Sequence, residues 1–340
     1  MDAILGVERC IRPSLEEVNF SDYEPDEEVL YLLEIRCPKL KKITFDCYKL
    51  RVLNTRELTK YIQRCRSLRS ISLSSKFSGM LTGQFYDYEI GGSGSEEDED
   101  IVHVRQYELL KGLALRGDLE ELELNPDVGM ESRPLFSFET FHMVLRDIKQ
   151  QPFMSLRKLE AVMDETSPTI LAPKLNPNTL TTLDLTIKGL FATLSMLPEI
   201  CTLVNLQHLS ITYDEAQPEE VRAFPSSDML ALGKLKHLRR LKITNLLPLS
   251  PKLTDEEFSS IVENWHELEY LDLDCDGAFS IKSLTSLGQN CPRLKSCSTY
   301  GNFDMDYWQN VPRPIFPVVE DLSLFHAWEW DEVDRGGISL

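Results

Sequence analysis

The sequence predicts an α/β solenoid, a horseshoe with a parallel sheet on its concave side and helices or irregular segments on its convex side. Three observations carry this. A pattern of the form L-x-x-L-x-L returns along the chain at a nearly even interval. Apolar residues come in short bursts rather than long runs, with 42% hydrophobic and 27% charged residues over 340 positions. Stretches of helical period separate the bursts. Each unit therefore reads as a short strand, a turn and a convex segment, and a unit so small must stack on copies of itself to bury its apolar side.

Leu253 to Tyr300 shows the unit twice. Leu253 to Val262 is helical in period, Asn264 breaks it, and Leu268, Leu271 and Leu273 supply the strand; the second pass runs Ile281 to Leu287, then Asn290, Cys291, Leu294 and Cys297. Aligned on the first apolar residue of that pattern, eleven units are anchored at Leu15, Leu40, Leu68, Leu119, Leu156, Leu180, Leu206, Leu238, Leu268, Leu294 and Val319. Eight of the ten intervals lie between 24 and 32 residues, and the two exceptions are 51 and 37. That is close to the period of leucine-rich repeats. The clearest copies are LVNLQHLSI (203–211), LKHLRRLKI (235–243), WHELEYLDL (265–273), CPKLKKITF (37–45) and CRSLRSISL (65–73); the weakest are the first, the last and FMSLRKLEAV (153–162).

On the convex side, Leu53 to Arg64, Val102 to Leu115, Phe138 to Lys149 and Asp255 to Val262 are expected to be helical. Asp164 to Asn178, with Pro168, Pro173 and Pro177, is expected not to form regular helix. The solenoid is thus expected over 1–325, with an acidic insertion at 77–100 and a cap or tail at 326–340. The core of the insertion, GGSGSEEDED at 91–100, has no apolar residue and reads as a solvated loop. It is either a tolerated surface insertion or a site where Ser93 and Ser95, each with an acid three places on, are phosphorylated by an acid-directed kinase. In the tail, Trp328 and Trp330 alternate with acids and either cover the last repeat or form a binding edge.

A formal net charge of −19 and a pI near 4.8 repel phosphate backbones and anionic membranes, so neither nucleic acid nor membrane is expected as a partner. No window reaches the roughly 18 apolar residues of a membrane span, and the amino terminus lacks the pattern of a secretory leader. The chain reads as cytoplasmic or nuclear. Its eight cysteines are scattered with no C-x-x-C pair, so they are expected to be reduced and mostly buried. Asp272, Asp274, Asp276 and Gly277 imitate the start of a calcium loop, but its twelfth position is Ser283 rather than glutamate. The six histidines fall in separate repeats, and GGSG at 91–94 lacks the lysine of a phosphate loop. No cofactor, no metal and no enzymatic activity are expected.

The phrases RCPKL (36–40), RCRSL (64–68), LTDEEF (253–258) and NCPRL (290–294) resemble the cysteine-containing subtype of leucine-rich repeat. That subtype is similar to the repeats carried behind the F-box in F-box/leucine-rich-repeat proteins, the substrate receptors of cullin-RING ubiquitin ligases. The resemblance implies a substrate-recognition component related to SCF-type ligases. In that family an F-box with a Leu-Pro opening phrase precedes the repeats; here fourteen residues precede Leu15 and none carries that phrase. A Skp-type adaptor is therefore an expected partner only where an F-box is supplied outside this chain.

Alternate strand residues point away from the core, so positions flanking the apolar ones form the concave surface. The first repeats place small, hydroxylated and acidic residues there, such as Ser70, Ser72, Glu121, Glu123, Glu160 and Asp184, together with Val162. The last repeats gather Arg240, Lys242, Tyr270, Asp272, Asp274, Tyr300 and Phe325. Arginine and aromatic side chains are typical binding anchors, which places the partner site in the C-terminal half of the concavity. A protein partner is expected, and the acidic ledger favours a basic one. Beside the ligase receptor stand two further readings: a stoichiometric inhibitor of the ribonuclease-inhibitor type, and a repeat protein that activates a GTPase.

Overall fold

The computed structural model describes residues 11–20, 25–46, 55–74, 106–124, 136, 138–164, 166–188, 196–213, 226–244, 253–274, 279–301, 303 and 316–326. Eleven strands form one sheet in chain order: β1 (Glu17–Phe20), β2 (Lys42–Asp46), β3 (Ser70–Ser74), β4 (Glu121–Leu124), β5 (Lys158–Asp164), β6 (Thr182–Lys188), β7 (His208–Tyr213), β8 (Arg240–Thr244), β9 (Tyr270–Leu273), β10 (Ser296–Gly301) and β11 (Asp321–His326). Every neighbouring pair is parallel. Each strand begins two residues after its anchor leucine or valine, so the expected fold class is the one observed.

The anchor phrase makes the strand in two steps. The anchor N–H closes a tight turn on the carbonyl three residues back, as in Leu40 to Cys37 (3.1 Å), Leu68 to Cys65 (3.2 Å), Leu268 to Trp265 (3.1 Å) and Leu294 to Cys291 (3.1 Å). Pro38 and Pro292 occupy the second turn position, where a fixed φ favours the turn. The next residue then starts the ladder: Lys41 N–H donates to Glu16 O at 2.8 Å, Arg69 to Lys41 at 2.7 Å, and so on through Glu320 to Lys295 at 2.7 Å. Every repeat is thereby tied to its predecessor one residue before its strand begins.

Period-2 alternation sends Leu40, Ile43 and Phe45, then Leu68, Ile71 and Leu73, into a core from which water is excluded. In register these side chains stack from repeat to repeat, so Leu241, Leu271 and Cys297 meet side by side. Cys37, Cys65, Cys201, Cys291 and Cys297 are free and buried. Burial pushes the thiols of Cys201, Cys291 and Cys297 up to about 12, which keeps them protonated and inert.

The convex side varies as expected, with helices α1 (Glu27–Arg36), α2 (Thr55–Arg64), α3 (106–114), α4 (Phe138–Asp147), α5 (Ser167–Leu171), α6 (Leu197–Ile200), α7 (Ser226–Leu230), α8 (Asp255–Val262) and α9 (Ile281–Asn290). Strands repeat at about 4.8 Å whereas helices need about 10 Å, so the sheet takes the inner, concave side. One expectation needs correction. The segment from Asp164 does form a short helix, α5, because Pro168 sits in its first turn where a missing N–H leaves nothing unpaired; a 3-10 turn at Ala172–Lys174 accommodates Pro173. FMSLRKLEAV, among the weakest copies, runs into the seven-residue strand β5, and Phe153 takes a left-handed φ of 52° to make its turn.

Polar side chains join successive repeats. Thr254 and Glu257 form a capping box on α8, and Ser226 of α7 donates to the same Glu257 at 3.1 Å. The Asp255 carboxylate accepts from the Ser280 backbone (2.9 Å), the Ser280 hydroxyl (2.6 Å) and the Ser283 hydroxyl, which fixes the start of α9. Burial pushes the Asp255 carboxyl upward, but the bonds from Ser280 and Ser283 together outweigh it and hold it below its ordinary 3.8. Its folded-state value is thus depressed, so its contribution is complete above the unfolded-state value and fades as pH falls through the folded one. Asp255→Ala is expected to cost about 1–2 kcal/mol at neutral pH. The deficit relative to wild type shrinks below about pH 3.8, as urea melts across that range would check.

The insertion core with Ser93 and Ser95, and residues 327–340 with both tail tryptophans, lie outside the described residues. Among the described residues, no helix is long and apolar enough to cross a membrane.

Candidate interaction surface on the concave face

The register builds columns across the sheet. One runs Glu17, Lys42, Ser70, Glu121, Lys158, Thr182, His208, Arg240, Tyr270, Ser296 and Asp321, each residue beside the next. A second runs through Glu123, Glu160, Asp184, Ser210, Lys242, Asp272 and Ser298. Most of these side chains are exposed or half-buried. Two positions expected at the surface are withdrawn from it: Ser72 and Val162 are each only 3% exposed.

The centre of the face is acidic. On β4, Glu121 accepts from the Ser70 hydroxyl at 3.0 Å, and neither Glu121 nor Glu123 has an ion-pair partner among the described residues. On β5, Lys158 pairs with Glu160 at 3.1 Å. Burial draws the Lys158 ammonium downward, yet its bond to Glu160 and the charges of Glu123 and Glu121 raise it overall, so it stays charged. Burial raises the Asp184 carboxyl on β6, and nearby Glu160 adds to the effect, against the Ser210 hydroxyl, Lys242 and Lys158.

The character changes at β8. The Arg240 guanidinium stands 4.6 Å from the centre of the Tyr270 ring, and Lys295 Nζ lies 5.9 Å from the same ring. Tyr270 remains 37% exposed between them. Lys295, which strand alternation does not single out, pairs with Glu269 at 2.6 Å one position before the strands begin. Arg240 and Lys242 are exposed, project from the same side of β8, and have no ion-pair partner among the described residues. His208, the neighbour of Arg240 on β7, is pushed towards its neutral form by burial and by Arg240 and Arg239.

The sequence-derived set is therefore brought together only in part. Arg240, Lys242, Tyr270 and Asp272 lie on adjoining strands, and Asp274 follows β9, its N–H donating to Ile243 O at 2.8 Å. Tyr300 and Phe325 pair in register on β10 and β11, at the far end of the strands and three strands from Arg240 at Phe325. Phe325 is 45% exposed; the Tyr300 side chain lies outside the described residues. Among the described residues, no group of three or more His, Cys, Asp or Glu is placed to hold a metal ion.

Eleven in-register parallel strands in chain order, each beginning two residues after an apolar anchor, define a leucine-rich-repeat protein. The chain is similar to the leucine-rich repeat-containing protein LegL7 from Legionella pneumophila, at 14% identity over 91% of this chain and 90% of that one, with a TM-score of 0.43. It is similar to a chain of the Rad7 and Elc1 complex in yeast, at 14% identity over 93% and 83% with a TM-score of 0.41. A chain of the TLR13–ssRNA13 complex matches at 16% identity over 92% of this chain and 41% of that one, with a TM-score of 0.39. No family model and no curated protein matches the chain.

Proposed function

We propose that this chain is a protein-interaction scaffold that binds a protein partner on its concave face, anchored at Arg240, Lys242 and Tyr270, and does no chemistry itself. The observation that carries this is the exposed Arg240–Tyr270 stack beside the unpaired Lys242, on a rigid sheet. Such groups bury much area with little loss of freedom, which is what concentrates binding energy. Phe325 extends the surface towards the last repeat. The finer reading is a substrate-recognition component related to SCF-type ubiquitin ligases, supported by the Cys-Pro-x-Leu and Leu-Thr-Asp phrases, with a Skp-type adaptor engaged through an F-box outside this chain. A second reading, a stoichiometric inhibitor of a basic protein, is favoured by the unpaired Glu121 and Glu123.

The test is an affinity pull-down of the tagged chain from extract of its source cells at moderate salt, read by mass spectrometry beside an Arg240→Ala/Tyr270→Ala variant. Recovery of a Skp-type adaptor and cullin in stoichiometric amounts supports the ligase reading. Recovery of one basic protein alone supports the inhibitor. In either case the double variant is expected to bind the recovered partner on the order of tenfold more weakly or worse. Its stability should stay within about 0.5 kcal/mol, because both side chains are at the surface. Unchanged affinity would move the site elsewhere.

A further inference from the structure

The concave face is electrically divided, and the division has a length. Unpaired acids stand on β4, at Glu121 and Glu123, and unpaired cations on β8, at Arg240 and Lys242. Between them charge is offset or replaced by hydroxyls. Lys158 neutralises Glu160 on β5. On β6 the half-buried Asp184 stands beside Ser210 in register, and the charges of Lys242 and Lys158 both act on its carboxyl. Thr182 and Thr186 stand on either side of it, and Ser210 and Thr212 line β7, the latter hydroxyl 3.2 Å from that of Thr244 on β8. A chain of net charge −19 that leaves two adjacent cations unpaired on its binding face presents a site for negative charge within a surface that repels it elsewhere.

We infer that the partner segment is bipolar: an extended stretch crossing the strands, with an anionic side chain seated on Arg240, Lys242 and Tyr270 and a basic residue over Glu121 and Glu123. The inference deepens the concave-face reading above and rests on it. The anion is a carboxylate or a phosphoryl group, since a guanidinium held over a tyrosine ring offers the same planar donor fork to both. The separation follows from the sheet. Four strand spacings of about 4.8 Å place β8 about 19 Å from β4, which about six residues of extended chain at roughly 3.3 Å each would span. The hydroxyl belt on β6 and β7 accepts the intervening backbone without demanding particular side chains. This pattern also separates true partners from merely basic proteins, because polycations would be repelled at β8.

The experiment immobilises the full chain and applies pools of peptides with long randomised flanks whose central residue is fixed as Glu, phosphoserine, Lys or Ala. The expected result is retention of the Glu or phosphoserine pool over the Ala pool, with Lys or Arg selected about six residues to one side. Preference for phosphoserine alone identifies a phosphorylated segment; equal retention identifies a carboxylate. In Arg240→Glu/Lys242→Glu the preference is lost, with affinity for the selected peptides down by tenfold to hundredfold, on the order expected when charge pairs are reversed. Arg240→Gln/Lys242→Gln, which adds no like charge to this acidic face, is expected to show the same loss with an unaltered circular dichroism spectrum. Preference for the Lys pool, or none for the central residue, overturns the bipolar segment while leaving the concave face a protein-binding surface. Retention of no pool overturns it too. The broader reading falls with it only if the pull-down partner is also indifferent to Arg240→Ala/Tyr270→Ala.

Discussion

Leu271→Asp is expected to unfold the C-terminal repeats. Leu271 is 2% exposed in the middle of β9, with Leu241 on one side and Cys297 on the other, both of them buried. The substitution removes an apolar side chain worth about 2–3 kcal/mol of burial and puts a carboxylate into the apolar layer of the core. The combined loss, about 5 kcal/mol or more, is among the largest a single change produces. A solenoid holds each unit only through its neighbours, so loss of β9 also strips the interface of β8 and β10. The Phe258–Phe279 ring contact at 4.5 Å behind it would be lost as well. Circular dichroism should lose part of its amplitude, and the remainder should melt at a lower temperature. The control is one residue away: Asp272→Ala, on the concave side of the same strand, should change stability by about 0.5 kcal/mol or less. A native melt for Leu271→Asp, or a ruinous one for Asp272→Ala, would place the register one residue off.

That pair of predictions shows why the sheet is readable from sequence. A strand's two faces differ at every residue, so a single misplaced position would send Asp272 into the core and Leu271 into water. The leucine spacing admits one register, and all eleven strands follow it. The convex side carries less information because its segments pack in several ways. α1 escapes a reading by period because EEVLYLLEIR is apolar on more than one side: Val29, Leu30, Leu32 and Leu33 are buried while Tyr31 and Ile35 stay exposed, so no clean helical stripe exists. α6, at four residues, is too short for a period of 3.6 to show.

The candidate surface is legible to the same depth. Arg240 and Tyr270 both stand two residues after their anchors, so in register they have to be neighbours, and the stacked geometry follows. What alternation cannot give is how much water each position keeps. Ser72 and Val162 share the orientation of Tyr270 yet are shielded, because exposure depends on the size of side chains in adjoining repeats. Nor can it give pairing within the face: Lys158 turns along its own strand to Glu160, which removes from the surface a cation that the sequence alone leaves free.

Least legible is Arg116, whose partners lie about fifty residues back. Its guanidinium is buried and donates to three main-chain carbonyls of the preceding repeat: Ile62, Cys65 at 3.0 Å and Leu68 at 2.9 Å. Asp118, two residues on, accepts from both sides of the fork at 3.1 Å and also receives Arg69 at 2.8 Å. This one side chain therefore satisfies the end of α2 and the turn before β3, joining the repeats anchored at Leu68 and Leu119. That is the widest interval between anchors, 51 residues, where continuity of chain helps least. Arg116→Ala leaves those carbonyls without their donor and Asp118 with Arg69 alone, an expected loss of about 3–5 kcal/mol. Arg116→Met, which keeps most of the stem, should recover only the packing part. Because the broken interface lies between the third and fourth units, urea melts should split into two steps, the first three repeats unfolding before the rest. Hydrogen exchange would then speed up at the β3 amides that bond to β2 while those of β6 and β7 stay protected. A single transition at the wild-type midpoint in Arg116→Met would mean that the carbonyls find water instead, and that Arg116 is a spacer rather than the joint between the first three repeats and the rest.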